Sequence, residues 1–272
     1  MKPPDRAAEG ARVGEDVGMT EDPAAGTPFV EDDSVLSRAA SEPDAVVSWG
    51  PGAGDIADVR LGSATRPLLV VVHGGFWRPA YDRLHVRPMT EALSDAGWTV
   101  AAPEYRRVPG DADATTSDLR VALRLLPTEL RGSHDGRGVV LGHSAGGHLA
   151  LWAAASAPAP GLVGTIGLSA VADLAGADRE RLGGGAVTAF LGDAAASRPD
   201  LDPTRAASPG TPVTLVHGGR DEVVPPRQAT AYTTAHRTAS LVELPHAGHF
   251  DLIDPTSAAW PAVLDAVTQL TA

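Results

Sequence analysis

Ser144 sits in Gly142-His143-Ser144-Ala145-Gly146, a Gly-x-Ser-x-Gly run with a distinctive context. The β-rich Val139-Val140-Leu141 precedes it, and the helix-forming His148-Leu149-Ala150-Leu151-Trp152 follows it. A strand that turns this sharply into a helix leaves no room for side chains beside the turn, and glycine supplies none. The serine is then held at the apex on a strained backbone with its hydroxyl presented for reaction. In a chain with 30 Gly the pentapeptide also arises by accident, so the flanking strand and helix carry the argument. A serine hydroxyl is a poor nucleophile near neutral pH. It needs a base to take its proton and an acid to orient that base.

Where a serine occupies such an elbow, the acid and then the base follow it along the chain. His249, in His246-Ala247-Gly248-His249-Phe250, follows a strand-like run and precedes the last helix, which marks it as the base. His246 is its rival three residues earlier. Asp221 follows the apolar Val213-Thr214-Leu215-Val216 and the turn Gly218-Gly219, the position expected of the acid. Glu222 and Asp193 are the alternatives. An acyl-transfer intermediate also needs donors for its oxyanion. His73-Gly74-Gly75-Phe76-Trp77 follows the apolar run at 68–72 and offers the backbone amides of Gly74, Gly75 and Phe76, with Ala145 after the serine as a further donor. Phe76, Trp77 and His143 are candidate substrate contacts, with packing of the loop as the competing role for the two aromatics. Arg78, Arg106 and Arg107 are candidate partners for a substrate carboxylate.

These residues must be carried by elements that bring them together. Strands are predicted at 45–48, 56–61, 68–73, 99–103, 138–141, 163–168, 213–217 and 240–244. The runs at 68–72 and 213–216 are continuously apolar, as strands covered on both faces are. Helical spacing predicts helices at 84–96, 117–130, 145–157, 227–235 and 257–270, with Pro127 ending or kinking the second. Alternation of strands and helices predicts a mostly parallel central sheet with helices on both faces and an antiparallel edge built from the earliest strands. The Gly- and Pro-rich stretch 170–210 interrupts the alternation and is read as a small cap above the strand ends, where open α/β sheets bind ligands.

The composition narrows the chemistry. Of 272 residues, none is cysteine, which excludes disulfides, thiolate metal sites and a cysteine nucleophile. The net charge of −12 is concentrated at the start: residues 1–45 carry −7. Residues 1–40, poor in large apolar side chains, are expected to be a largely disordered acidic extension to a domain at 41–272, with part of it draped on that domain. An acidic chain gives no reason to expect nucleic acid as a partner. No secretory leader and no run of about 18 apolar residues is visible, so a cytoplasmic location away from membranes is expected. No metal or cofactor is expected.

From about Val46 onward the chain resembles the α/β-hydrolase superfamily. The His73-Gly74-Gly75-Phe76-Trp77 loop and Pro103-Glu104-Tyr105-Arg106-Arg107 are similar to the carboxylesterase and kynurenine formamidase (arylformamidase) branch. The resemblance implies Ser144, Asp221 and His249 as a catalytic triad with the Gly75, Phe76 and Ala145 amides as oxyanion donors. The expected function is hydrolysis of a small carboxylic ester through an acyl-enzyme. Alternatives are formamidase or small-peptide hydrolysis, and a non-catalytic binding module on the same fold.

Overall fold

The computed structural model describes residues 29–272, so most of the acidic extension (1–28) lies outside the described residues. Eight strands form one sheet: β1 (Ala45–Ser48), β2 (Ile56–Arg60), β3 (Leu68–Val72), β4 (Val100–Pro103), β5 (Gly138–His143), β6 (Leu162–Leu168), β7 (Val213–Gly218) and β8 (Ser240–Leu244). Their order across the sheet is β1-β2-β4-β3-β5-β6-β7-β8. The β1–β2 and β2–β4 pairs are antiparallel and every other pair is parallel. Every residue of β3 and β5 is buried, which is why these sequences are apolar rather than alternating.

Among the described residues the helices are α1 (Arg87–Asp95), α2 (Ala112–Glu129), α3 (Ala145–Ser156), α4 (Leu174–Arg179), α5 (Leu182–Leu191), α6 (Arg227–Ala235) and α7 (Trp260–Thr271). Two apolar clusters form the main core, one holding Leu119, Leu123, Leu149 and Trp152, the other Met89, Leu93, Val263 and Val267. Helix α2 begins five residues earlier than the apolar spacing predicts, because Asp111 accepts a hydrogen bond from the Ala114 amide and caps it. It also runs through Pro127 to Glu129, so the proline does not end it. The predicted helix at 84–96 is divided into a 3-10 turn, Arg83–Val86, and α1, which has Pro88 in its first turn. Residues 170–210 hold α4, α5 and three short 3-10 turns, with Gly183, Gly184 and Gly185 all in the left-handed region.

The register decides where the chemistry falls. Val72 lies beside Gly142, so the loop leaving β3 and the turn leaving β5 emerge together. Gly218 lies beside Leu244, which does the same for the loops after β7 and β8. All four loops therefore leave the same edge, at the carboxyl ends of the parallel strands.

The segment from Glu31 belongs to the same compact unit as the rest of the domain. Val35 is buried in the second apolar cluster, and the Arg38 guanidinium is paired with Asp254. Within the former extension, then, residues 31–40 lie on the domain as a strap. Among the described residues no helix is long and apolar enough to cross a membrane.

Candidate active site

Ser144 adopts φ 57° and ψ −120°, a conformation that costs a non-glycine residue of the order of 1–3 kcal/mol and persists only where its surroundings enforce it. The enforcement is steric and hydrogen-bonded. A Cβ on Gly142 would lie 2.1 Å from the Gly146 carbonyl oxygen, and one on Gly146 would lie 2.1 Å from that of Val72. No other residue lets β5, the turn and α3 pack this closely. The Ser144 amide donates to the Leu168 carbonyl at 2.9 Å, and its own carbonyl accepts from His148 at 3.1 Å and Val171 at 3.2 Å. Ser144 is only 3% exposed, so a ligand reaches it through a cleft and not from open surface.

The loops after β7 and β8 bring Asp221 and His249 together. His249 Nδ1 donates to Asp221 Oδ2 at 2.8 Å, with both side chains buried. The other carboxylate oxygen accepts from the amides of Val223 at 3.0 Å and Val224 at 2.7 Å. Burial opposes charge on Asp221, but hydrogen bonding from His217 and His249 and those amides outweigh it and hold the carboxyl well below its ordinary value. His217 was not singled out in the sequence. It donates through Nε2 to the Val224 carbonyl at 2.8 Å, and the same nitrogen lies 3.4 Å from Asp221 Oδ2. The alternatives are placed elsewhere. The His246 side chain is exposed at a surface cavity beside Pro245, Glu222 is exposed, and Asp193 is exposed and hydrogen-bonds the neighbouring Ala194 amide.

The loop after β3 passes next to Ser144. Gly75, Phe76 and Trp77 all have positive φ, at 105°, 50° and 54°, which turns the backbone tightly over the serine. A Cβ on Gly74 would approach the Ser144 Cβ at 3.1 Å, so the loop and the elbow are in direct apposition. Ala145 is the first residue of α3, where backbone amides have no intrahelical partner and the helix dipole favours an anion. A buried polar cluster holds the loop from behind. Tyr105 donates its hydroxyl to the His73 carbonyl at 2.7 Å and stacks on the His73 ring at 4.3 Å. His73 Nε2 lies 3.1 Å from Glu104, which also pairs with Arg107. Burial opposes charge on Glu104, yet His73 and the Arg107 guanidinium hold its carboxyl far below the usual range. The sequence could not show this cluster, because its members come from the loops after two different strands, β3 and β4.

The cleft over Ser144 is a cavity of about 70 Å³ lined by Gly75, Phe76, His143, Ser144 and His249, and closed by Leu36, Tyr81, His85, Val223 and Phe250. His143 donates to the His249 carbonyl at 3.1 Å, and burial with His249 alongside keeps it neutral, well below its ordinary value. Burial and the nearby His73 push His85 down to about 4. Trp77 does not line the cleft. It is buried and stacks on Phe190 of α5 at 4.7 Å, so it packs the loop onto segment 170–210. No residue of 170–210 lines the cleft; that segment meets the site through the loop it supports. The three arginines are also committed: Arg78 to the Gly183 carbonyl, Arg106 to Asp118 and Arg107 to Glu104. Leu36, Tyr81 and Glu31 were missed by sequence reading. Glu31 accepts hydrogen bonds from the His249 amide at 2.8 Å and the Glu222 amide at 3.2 Å, tying the strap to both loops.

A mostly parallel eight-stranded sheet with helices on both faces and a serine elbow after β5 defines the α/β-hydrolase fold. The chain belongs to the BD-FAE family, whose model matches residues 55–235. Sequence comparison with curated proteins gives no match. Among solved structures, a candidate thioesterase from Silicibacter sp. TM1040 is 26% identical, with TM-score 0.65 over 77% of this chain and 79% of that one. Esterase B from Lactobacillus rhamnosis is 20% identical, with TM-score 0.70 over 88% of each chain. An acetyl ester-xyloside bifunctional hydrolase from Caldicellulosiruptor lactoaceticus is 19% identical, with TM-score 0.69 over 84% of this chain and 96% of that one. At these identities the last two likenesses concern the fold.

Proposed function

We propose that this protein hydrolyses esters of short carboxylic acids by a Ser144–His249–Asp221 acyl-enzyme mechanism. The observation that carries this reading is the buried 2.8 Å Asp221–His249 hydrogen bond, with His249 lining the same cleft as a strained Ser144. His249 takes the Ser144 proton through Nε2 as Oγ attacks the ester carbonyl. Asp221 fixes the tautomer that leaves Nε2 free and stabilises the imidazolium that forms. The amides of Gly75, Phe76 and Ala145 receive the oxyanion, and each such donor is worth on the order of 100- to 1,000-fold in turnover. The proton passes to the departing alcohol. Water, activated by His249, then releases the acid from Ser144.

The size of the cleft argues for a short acyl group. Its 70 Å³ is about half of the ~150 Å³ cavity that admits benzene. The esterases among the similar folds are consistent with ester hydrolysis. The same small space favours a formyl amide as a second reading. A p-nitrophenyl ester series from acetate to octanoate, with N-formylkynurenine in parallel, tests both. Acetate and butyrate should be turned over fastest, and Ser144→Ala should abolish turnover while leaving the fold intact. Retained turnover in that variant sinks the mechanism. Preference for the formyl amide over every ester selects the second reading.

A further inference from the structure

The strap and the segment after the β3 loop enclose a second space. It holds about 480 Å³ between Leu36, Ala39 and Ala40 on one side and Ala80, Tyr81 and Leu84 on the other. Leu36, Tyr81 and His85 line both this groove and the cleft over Ser144, so the two adjoin across these side chains. We infer that this groove is the leaving-group subsite and that it takes an uncharged alcohol with an apolar body. The inference rests on the ester-hydrolase reading above.

The assignment follows from what each half of an ester must do. The acyl carbon becomes bonded to Ser144 and stays through both half-reactions, so the tight cleft of about 70 Å³ suits it. The alcohol must depart after the first half-reaction, and the larger groove adjoins the cleft at Leu36, Tyr81 and His85. The walls set the ligand's character. Leu36, Leu84, Tyr81 and the three alanines supply apolar surface, and Ser37 and Asp82 supply neutral and acidic polar surface beside it. Two guanidiniums border the groove, but Arg38 is held by Asp254 and Arg87 by Asp58 and Glu42. Asp82 accepts from the Leu84 amide at 2.9 Å. The neighbouring His85 is neutral at working pH. A charged alcohol would therefore find its counter-ions already engaged.

The strap is built to hold this wall in place. Val35 is buried in the core beneath it. Arg38 reaches Asp254 through two nitrogens and Thr256 at 3.0 Å. Glu31 clasps the loops of His249 and Glu222.

The test varies the alcohol at constant acyl group. Ala40→Trp and Ala80→Trp fill the groove from opposite walls, and Ala80 is exposed, so at least one variant keeps the fold. kcat/KM is measured for methyl acetate, 2-naphthyl acetate, phenyl acetate and 4-acetoxybenzoate. The proposal expects the ratio of 2-naphthyl to methyl acetate to fall about tenfold or more in either folded variant. It also expects the wild type to favour neutral phenyl acetate over the 4-carboxylate. An equal fall for both acetates overturns the subsite while leaving the ester-hydrolase reading intact. Equal or better use of the carboxylate overturns the assignment of an uncharged alcohol. A wild type that hydrolyses none of the four overturns the ester-hydrolase reading and the subsite with it.

Discussion

Gly146→Ala should cost catalysis far more than it costs folding. A Cβ there would lie 2.1 Å from the Val72 carbonyl oxygen and 2.3 Å from that of His73. Real Cβ contacts do not fall below 3.0 Å, so β3 and α3 must part by about 0.9 Å. Overpacking of this kind costs about 1–3 kcal/mol, occasionally more. For a domain of this size that lowers Tm by about 2–4 °C per kcal/mol. The displaced atoms include the root of the loop that carries the Gly75 and Phe76 amides. A shift near 1 Å in positioning groups costs on the order of 100-fold in rate. The expected outcome is a folded protein with Tm down by several degrees and kcat on p-nitrophenyl acetate down about 100-fold. Gly210→Ala is the control, since a Cβ there meets nothing within 4 Å. A folded Gly146→Ala protein with kcat within threefold of wild type would refute the idea that this packing sets the site.

Asp221→Asn should lower kcat by orders of magnitude, while Glu222→Gln, at an exposed side chain, should stay within a few-fold; the reverse order in steady-state kinetics would move the acid to Glu222. Because the folded Asp221 titrates below its unfolded value of 3.8, its charge stabilises the fold fully above that value, and the contribution is lost as pH falls below it. Urea midpoints of wild type and Asp221→Asn should therefore differ by a constant amount at neutral pH and converge only below about pH 4, and convergence at higher pH would contradict the depressed value. Tyr105→Phe removes the hydroxyl that donates to the His73 carbonyl and leaves that buried acceptor short, for about 1–3 kcal/mol of stability. Its kcat should fall with KM nearly constant, because the loop it steadies acts on the transition state; a change confined to KM would argue against that role.

The local part of this site was written in the chain. Gly142 and Gly146 announce a close approach, and all eight strands fall within two residues of the positions expected from the sequence. The order Ser144, Asp221, His249 needed only the alternation of elements to place them at one edge. What could not be read depends on partners distant in sequence. Residues 31–38 offer just two sizeable apolar side chains, Val35 and Leu36, so their composition resembles a tail. They are ordered by Asp254 and Thr256, more than 200 residues away. Trp77 is legible as an aromatic in the loop after β3, but its stacking on Phe190 needs the tertiary placement of α5. The Glu104–Tyr105–Arg107 support likewise exists only because β3 and β4 are neighbours. Helix α2 runs on through Pro127 with Leu126 and Leu130 held in the first apolar cluster, a tertiary contact that helical spacing alone does not show.

Every step of the proposed reaction depends on Ser144 as the nucleophile. That role is tested most directly by incubating the protein with a fluorophosphonate probe and locating the adduct by peptide mass spectrometry. The expected result is a single adduct on Ser144, absent in Ser144→Ala and strongly slowed in His249→Ala, where no base remains to activate the hydroxyl. An adduct on another serine, or none on the folded wild type, would contradict it.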